Sequence, residues 1–109
     1  MSFDFRIRLA TPDDAPEVAR LLHVDDVGVL PLAALGHHYL LVVDAPEGGL
    51  AAAAIVRLEA PRATVRVLAV ARPYEDAGDL EPRLISFIED MSLAFGCTHL
   101  DVPMRRNAA

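Results

Sequence analysis

The chain has 109 residues, 53% of them hydrophobic, and a formal net charge of −6 at pH 7, a length that fits one compact domain over residues 1–109 and is too short for two. All ten basic residues are arginines, and an acidic chain with no basic cluster beyond Arg105-Arg106 repels nucleic acid and anionic membrane, so neither is expected as a partner. No run approaches the roughly 18 to 20 apolar residues of a membrane span, the N-terminus carries no secretory pattern, and a lone cysteine excludes an internal disulfide or a cysteine-cluster metal site, so the expected location is cytoplasmic.

Along the chain, Phe5 to Leu9 sets Phe5, Ile7 and Leu9 against Arg6 and Arg8, the period of a half-buried strand. Thr11-Pro12-Asp13-Asp14 follows as a helix start, with a hydroxyl at the N-cap, proline at the first helical position and acids in the first turn. Val18, Leu21 and Leu22 give that helix its buried face. Val24 to Gly36 reads as loop around Asp25-Asp26 and Gly28, with room for a short helix at Pro31 to Leu35. Tyr39 to Val43 and Leu50 to Leu58 are predicted strands, joined by the turn-rich connector Asp44 to Gly49 into a hairpin. Arg62 to Ala71 pairs next, through a tight turn near Ala60-Pro61.

The most informative stretch runs from Val65 to Val102. An apolar strand, Val65 to Val70, leads through Arg72 to Asp79 into an amphipathic helix that Gly96 ends, and Thr98 to Met104 forms a last strand. Within the helix, Leu80, Leu84, Ile88, Met91 and Phe95 recur at steps of four or three and are predicted to face the sheet. A strand-loop-helix joint commonly grips an anion, because the helix N-terminus offers unpaired N–H groups and partial positive charge. This loop instead carries four carboxylates, Glu75, Asp76, Asp79 and Glu81. The predicted order is β-α-(α)-β-β-β-α-β, an α+β fold.

Other polar residues read more plainly. Cys97 is expected as a small core residue after the helix stop. His37-His38 with Asp25, Asp26 or His99 have the chemistry of metal ligands, but neighbours on a strand point to opposite faces, so no metal site is assigned. His99 and Asp101 share one face of the last strand, where a polar surface or subunit contact is preferred to a small-ligand site.

These residues resemble the GNAT superfamily, the acyl-CoA-dependent N-acetyltransferases. Ile7-Arg8-Leu9-Ala10-Thr11-Pro12-Asp13-Asp14 is similar to that family's first strand and helix start, Leu68-Ala69-Val70 lies where its central strand reads L-x-V, and Gly96 to Val102 resembles its next strand. The resemblance covers most of the chain. It implies a mixed, mostly antiparallel sheet flanked by helices, and acetyl-CoA or CoA as the ligand. Leu68, Ala69 and Val70 would pair with the pantetheine arm, and the loop around Ala77 and Gly78 would wrap the pyrophosphate.

The family's loop pattern is R/Q-x-x-G-x-G/A. Aligning Pro73 with the family's proline and Leu84-Ile85 with its paired aliphatics puts Asp76 at the basic position and Asp79 and Glu81 at the two glycines. Side chains there block the approach of backbone to phosphate and add negative charge. Two unit charges about 4 Å apart interact by roughly 1 kcal/mol in water and about 4 kcal/mol near a protein surface. A helix N-terminus returns only about 0.3 to 2 kcal/mol. Coenzyme binding is therefore expected to be weak unless Arg72 or Arg83 compensates, with Asp79 serving as an N-cap whose own carboxylate fills the helix's anion site.

The resemblance further implies a C-terminal helix and two strands that this sequence lacks, and with them the family's tyrosine general acid. Thr64 and Arg66 stand where an acidic base is expected, which leaves Glu59 as the catalytic candidate. The shortened sheet is expected to expose the last strand, so a homodimer or a protein partner should cover Leu100 and Val102. The function expected is that of a degenerate GNAT-like protein with weakened acetyl-CoA binding and a regulatory or protein-interaction role. The alternatives are an active N-acetyltransferase and, from another fold, a ferredoxin-like small-ligand sensor.

Overall fold

A computed structural model describes residues 5–22, 37–75 and 79–102. The short helix expected at Pro31 to Leu35, the acids Asp25 and Asp26, and Met104 lie outside these residues. The elements are β1 (Arg6–Leu9), α1 (Ala15–Leu22), β2 (His38–Asp44), β3 (Leu50–Glu59), β4 (Arg62–Val70), α2 (Leu80–Ala94) and β5 (His99–Asp101). They form a five-stranded sheet in the order β1-β2-β3-β4-β5. The first four strands run antiparallel, and β5 returns through α2 to lie parallel to β4. This is the mixed, mostly antiparallel α+β sheet expected, and among the described residues no helix or strand follows β5. It excludes the ferredoxin-like alternative. A split β-α-β unit needs another strand between the two that a helix joins, whereas β1 and β2, and likewise β4 and β5, are immediate neighbours.

Among the described residues each face of the sheet buries one helix. Val18, Ala19 and Leu22 of α1 pack with Leu40, Val42, Ala53, Ile55 and Ala69, while Leu80, Leu84 and Ile88 of α2 pack with Leu41, Ala52, Val56, Leu68 and Val70. The central strand β3 is therefore apolar on both sides, and its sequence Leu50-Ala51-Ala52-Ala53-Ala54-Ile55-Val56 is buried throughout. Along α2 the buried series is Leu80, Leu84, Ile88 and Ser92. The expected Met91 only touches the core and Phe95 is 47% exposed. The reason is that the helix ends at Ala94, so Phe95 swings out to lie edge-on to Tyr39, with ring centroids 5.3 Å apart. Ser92 takes the inner position by donating its hydroxyl to the Ile88 carbonyl at 2.6 Å. Cys97 is buried as expected and points its thiol at the Arg62 carbonyl. No helix among the described residues is long and apolar enough to cross a membrane.

Two polar locks fix the N-terminal part. Arg8 on β1 grips Asp14 through Nη1 and Nη2 at 2.8 and 3.0 Å, and Asp44 at the end of β2 through Nε and Nη2 at 2.7 and 3.0 Å. Asp14 also accepts the Thr11 backbone N–H at 2.7 Å. The helix start is thus where expected, with Thr11 at the N-cap, Pro12 next and a capping box in which the Asp14 carboxylate closes back on Thr11. The second lock is Glu17 on α1, whose carboxylate accepts the Leu50 N–H at 2.6 Å. Gly49 beside it has φ +74°, and a Cβ there would stand 3.1 Å from the Glu17 carboxylate, so both conformation and space call for glycine.

Candidate functional site

The site is built on β4. Its ladder with β3 pairs Val65 with Val56 but Val67 with Ile55, so Arg66 is an extra residue, a β-bulge. The bulge reverses the strand's alternation. Ala63 and Val65 face α2 ahead of it, and Leu68 and Val70 face α2 beyond it, while Val67 and Ala69 turn to α1. Both ends of β4 can bury apolar side chains because one exposed arginine absorbs the change of parity.

On the outer edge of β4, pairing with β5 covers Arg62, Ala63 and Thr64, opposite His99, Leu100 and Asp101, the last residue of β5. Among the described residues no strand covers β4 beyond Thr64. Which groups that edge presents follows from the ladder on the other side. The Ala71 N–H donates to the Ala51 carbonyl at 2.8 Å, which makes 51/71 a hydrogen-bonded antiparallel pair. In such a ladder alternate residues turn their N–H and C=O outward. Leu68 and Val70 therefore point these groups to the open edge, and Ala69 points its own at β3. Of the three positions that the family resemblance implied for an extended amide arm, two offer hydrogen bonds and the third supplies packing against α1.

Past β4, Arg72–Tyr74 forms a 3-10 turn, held by Tyr74 edge-on to Phe5 with centroids 5.7 Å apart. Ala77, Gly78 and Asp76 lie outside the described residues. Asp79 is the N-cap of α2, but its side chain makes no capping hydrogen bond. Its carboxylate lies 3.9 Å from the Arg83 guanidinium, one turn along. The expectation that Asp79 fills the helix's anion site is thereby corrected, because a cation four residues on offers the carboxylate an alternative partner. Pro82 in the first turn has no N–H to give a ligand.

Glu59 stands at the other end of the hairpin. It ends β3, opposite Arg62, and is half exposed in an ion pair with Arg57. From Arg62 to Leu68 along β4 is roughly 20 Å at the ordinary rise of a strand, so the fold does not bring Glu59 to the open edge. His37 is exposed at a turn with φ 67° and accepts the Leu58 N–H through its carbonyl. His99 bonds Thr98 through Nδ1 at 3.0 Å, and Asp101 approaches Arg62 at 3.5 Å. Among the described residues no three His, Cys, Asp or Glu side chains converge as metal ligands do.

The fold of this chain has counterparts among solved structures. A ribosomal-protein-alanine N-acetyltransferase from Brucella melitensis biovar Abortus 2308 superposes with a TM-score of 0.79 at 19% identity, covering 94% of this chain and 82% of that one. A glucosamine-6-phosphate N-acetyltransferase from Arabidopsis thaliana gives 0.75 at 18% identity, covering 93% and 82%. This is a GNAT fold. AAC(6')-Iy, solved with the bisubstrate analog CoA-S-monomethyl-acetylneamine, shares the same GNAT fold at a TM-score of 0.75 and 13% identity, covering 93% of this chain and 80% of that one. No protein-family model matches the chain, and no curated protein matches it by sequence.

The bulge was legible in the sequence only through parity. Ala63 and Val65 are odd-numbered, Leu68 and Val70 even-numbered, and both pairs are apolar. The deletion of Arg66 tests this directly. Val65 and Val67 would then oppose Val56 and Ile55 in an unbroken ladder, so the variant should keep its circular dichroism and cooperative melting. Deleting Val67 instead would put Arg66 into the α1 face and should destabilise by several kcal/mol, as burying an unpaired charge does.

Proposed function

We propose that this GNAT-fold chain binds the pantetheine arm of an acyl-CoA along β4, holds the pyrophosphate end weakly, and acts through regulation or protein contacts. The observation that carries this reading is the edge of β4 beyond the bulge, which no strand covers among the described residues. Leu68 and Val70 present there the alternating donors and acceptors that an extended diamide requires, the means by which strands bind peptide-like ligands. The residues present fit that arm. They do not fit the pyrophosphate at the loop, where Asp79 and Glu81 stand at the positions aligned with glycine and Pro82 withholds an amide. When bound, acetyl-CoA would supply an acetyl thioester, and the chain's part is to align the arm through Leu68 and Val70, with Ala69 seated against α1.

Calorimetric titration with acetyl-CoA and with CoA at moderate salt tests this. Binding is expected to be weaker than micromolar. The triple change Asp76→Arg, Asp79→Gly and Glu81→Gly should tighten it by at least about tenfold, since each carboxylate removed is worth about 1 kcal/mol or more and about 1.4 kcal/mol is a factor of ten. Micromolar binding by the wild type, unaltered by the triple change, would refute the electrostatic part of the reading.

A second reading, an active N-acetyltransferase moving acetyl from acetyl-CoA to an amine, is favoured by one observation. Asp79 turns toward Arg83 and leaves the α2 N-terminus uncapped by its own side chain.

For the protein contact, the β5 edge suits a second copy of the chain. Antiparallel pairing about a two-fold axis at Leu100 sets His99 of each copy against Asp101 of the other, where an imidazole N–H can donate to the carboxylate. Val102, 49% exposed, and Leu93, 67% exposed, flank the strand with apolar surface. Sedimentation at micromolar concentration should show a dimer that Val102→Lys weakens. A monomer insensitive to that change would rule the contact out.

A further inference from the structure

We infer that Arg20 and Arg72 form a phosphate-binding pair, placed on the α1 side of the sheet, that takes the phosphates of the acyl-CoA in place of the acidic loop. The inference rests on the acyl-CoA reading above and names the group that meets the ligand's charged end. Arg20 lies in the last turn of α1, and Arg72 opens the 3-10 turn just after β4. Together with Leu21, Leu50 and Ala71 they line an open depression of about 380 Å³.

What marks this depression is two arginines without a carboxylate partner on one surface, whereas Arg6 and Arg66, also outside any ion pair among the described residues, line no pocket with a second arginine. Arg8, Arg57, Arg62 and Arg83 each meet a carboxylate. Neither Arg20 nor Arg72 makes an ion pair among the described residues. The one carboxylate in the depression, Glu17, is already engaged by the Leu50 N–H at 2.6 Å. Two guanidiniums thus share one depression in a chain of net charge −6. A planar guanidinium matches phosphate oxygens two at a time, and two of them suit a pyrophosphate or a phosphate monoester.

Position makes the acyl-CoA the source of that phosphate. An arm hydrogen-bonded to Leu68 and Val70 leaves the strand at Val70, and Ala71 and Arg72 are the next residues of the chain. The α2 side offers the charged end Asp79, Glu81 and an arginine, Arg83, already drawn to Asp79, whereas the α1 side offers two arginines outside any ion pair among the described residues.

The test is a nuclear magnetic resonance titration of the full chain with acetyl-CoA, S-acetylpantetheine and inorganic pyrophosphate, using wild type, Arg20→Ala with Arg72→Ala, and Arg6→Ala as an exposed-arginine control. Wild type and control should bind acetyl-CoA at least about tenfold more tightly than S-acetylpantetheine, with shifts at Ala71 and Leu50. The double variant should lose that difference and keep S-acetylpantetheine binding. Should the difference be absent in the wild type, or survive in the double variant, the arginine pair is refuted while S-acetylpantetheine binding leaves the β4 reading intact. If neither thioester binds, the β4 reading fails, and pyrophosphate decides the pair. Shifts abolished only in the double variant support a phosphate site, and no shifts overturn it.

Discussion

Acetyl transfer from acetyl-CoA to a broad panel of amines should run near background for the wild-type chain, and Glu59→Gln should leave it there. General acid and base groups contribute about 10² to 10⁴-fold each. β4 from Val65 to Val70 carries no Asp, Glu, His, Cys or Tyr side chain. Glu59, the acid singled out from the sequence, is tied to Arg57 at the far end of the hairpin. A continuous thiol-release assay over tens of amines gives the answer. Turnover well above the uncatalysed rate that vanishes with Glu59→Gln would establish the second reading and require the hairpin end to close on the thioester. Turnover indifferent to Glu59 would place the base elsewhere.

Arg8→Ala should be the most damaging single substitution of a polar residue, lowering stability by about 2 to 4 kcal/mol, since it leaves two partly buried carboxylates facing each other without their shared cation. For a chain of this length that corresponds to a fall in Tm of roughly 10 to 20 °C. Asp14→Asn in the Arg8→Ala background should restore part of the loss by removing one of the stranded charges, which a purely steric account of Arg8 does not predict. Acid should expose the same lock. The hydrogen bonds from Arg8, ahead of the Thr11 N–H, hold the Asp14 carboxyl down from 3.8 to about 2. A carboxyl depressed in the folded state stabilises it above its unfolded pKa, and that stability is lost as pH falls through the folded value. The contribution, on the order of 2 kcal/mol at neutral pH, should therefore be intact above about pH 4 and disappear toward pH 2. Melting curves across that window should fall more steeply for wild type than for Asp14→Asn. Parallel curves would show that Asp14 is not held by Arg8.

What the sequence determined by itself is what local periodicity encodes. Alternation marked β1, the turn-rich Asp44 to Gly49 marked the β2–β3 hairpin, Thr11-Pro12 and Gly96 marked a helix start and a helix stop, and the four-residue spacing of Leu80, Leu84 and Ile88 marked the buried face of α2. Such signals depend on neighbours a few residues apart, so they survive without knowledge of the fold. Even the family resemblance rested on them, through Leu68-Ala69-Val70 and its flanks. The tertiary structure alone decided the features that join distant segments. Arg8 meets Asp44 across 36 residues of sequence, Glu17 meets Leu50 across 33, and Arg20 shares a depression with Arg72. No local pattern carries those pairings, because each depends on which strands lie side by side and how the helices cross them. The same holds for the bulge at Arg66, which exists only relative to the partner strand, and for Glu59, whose distance from the open edge is set by the length of β4. Asp79 shows the limit most plainly. Its position at the N-cap followed from the sequence, but whether its carboxylate turned to the helix amides or to Arg83 was a matter of competing partners in three dimensions.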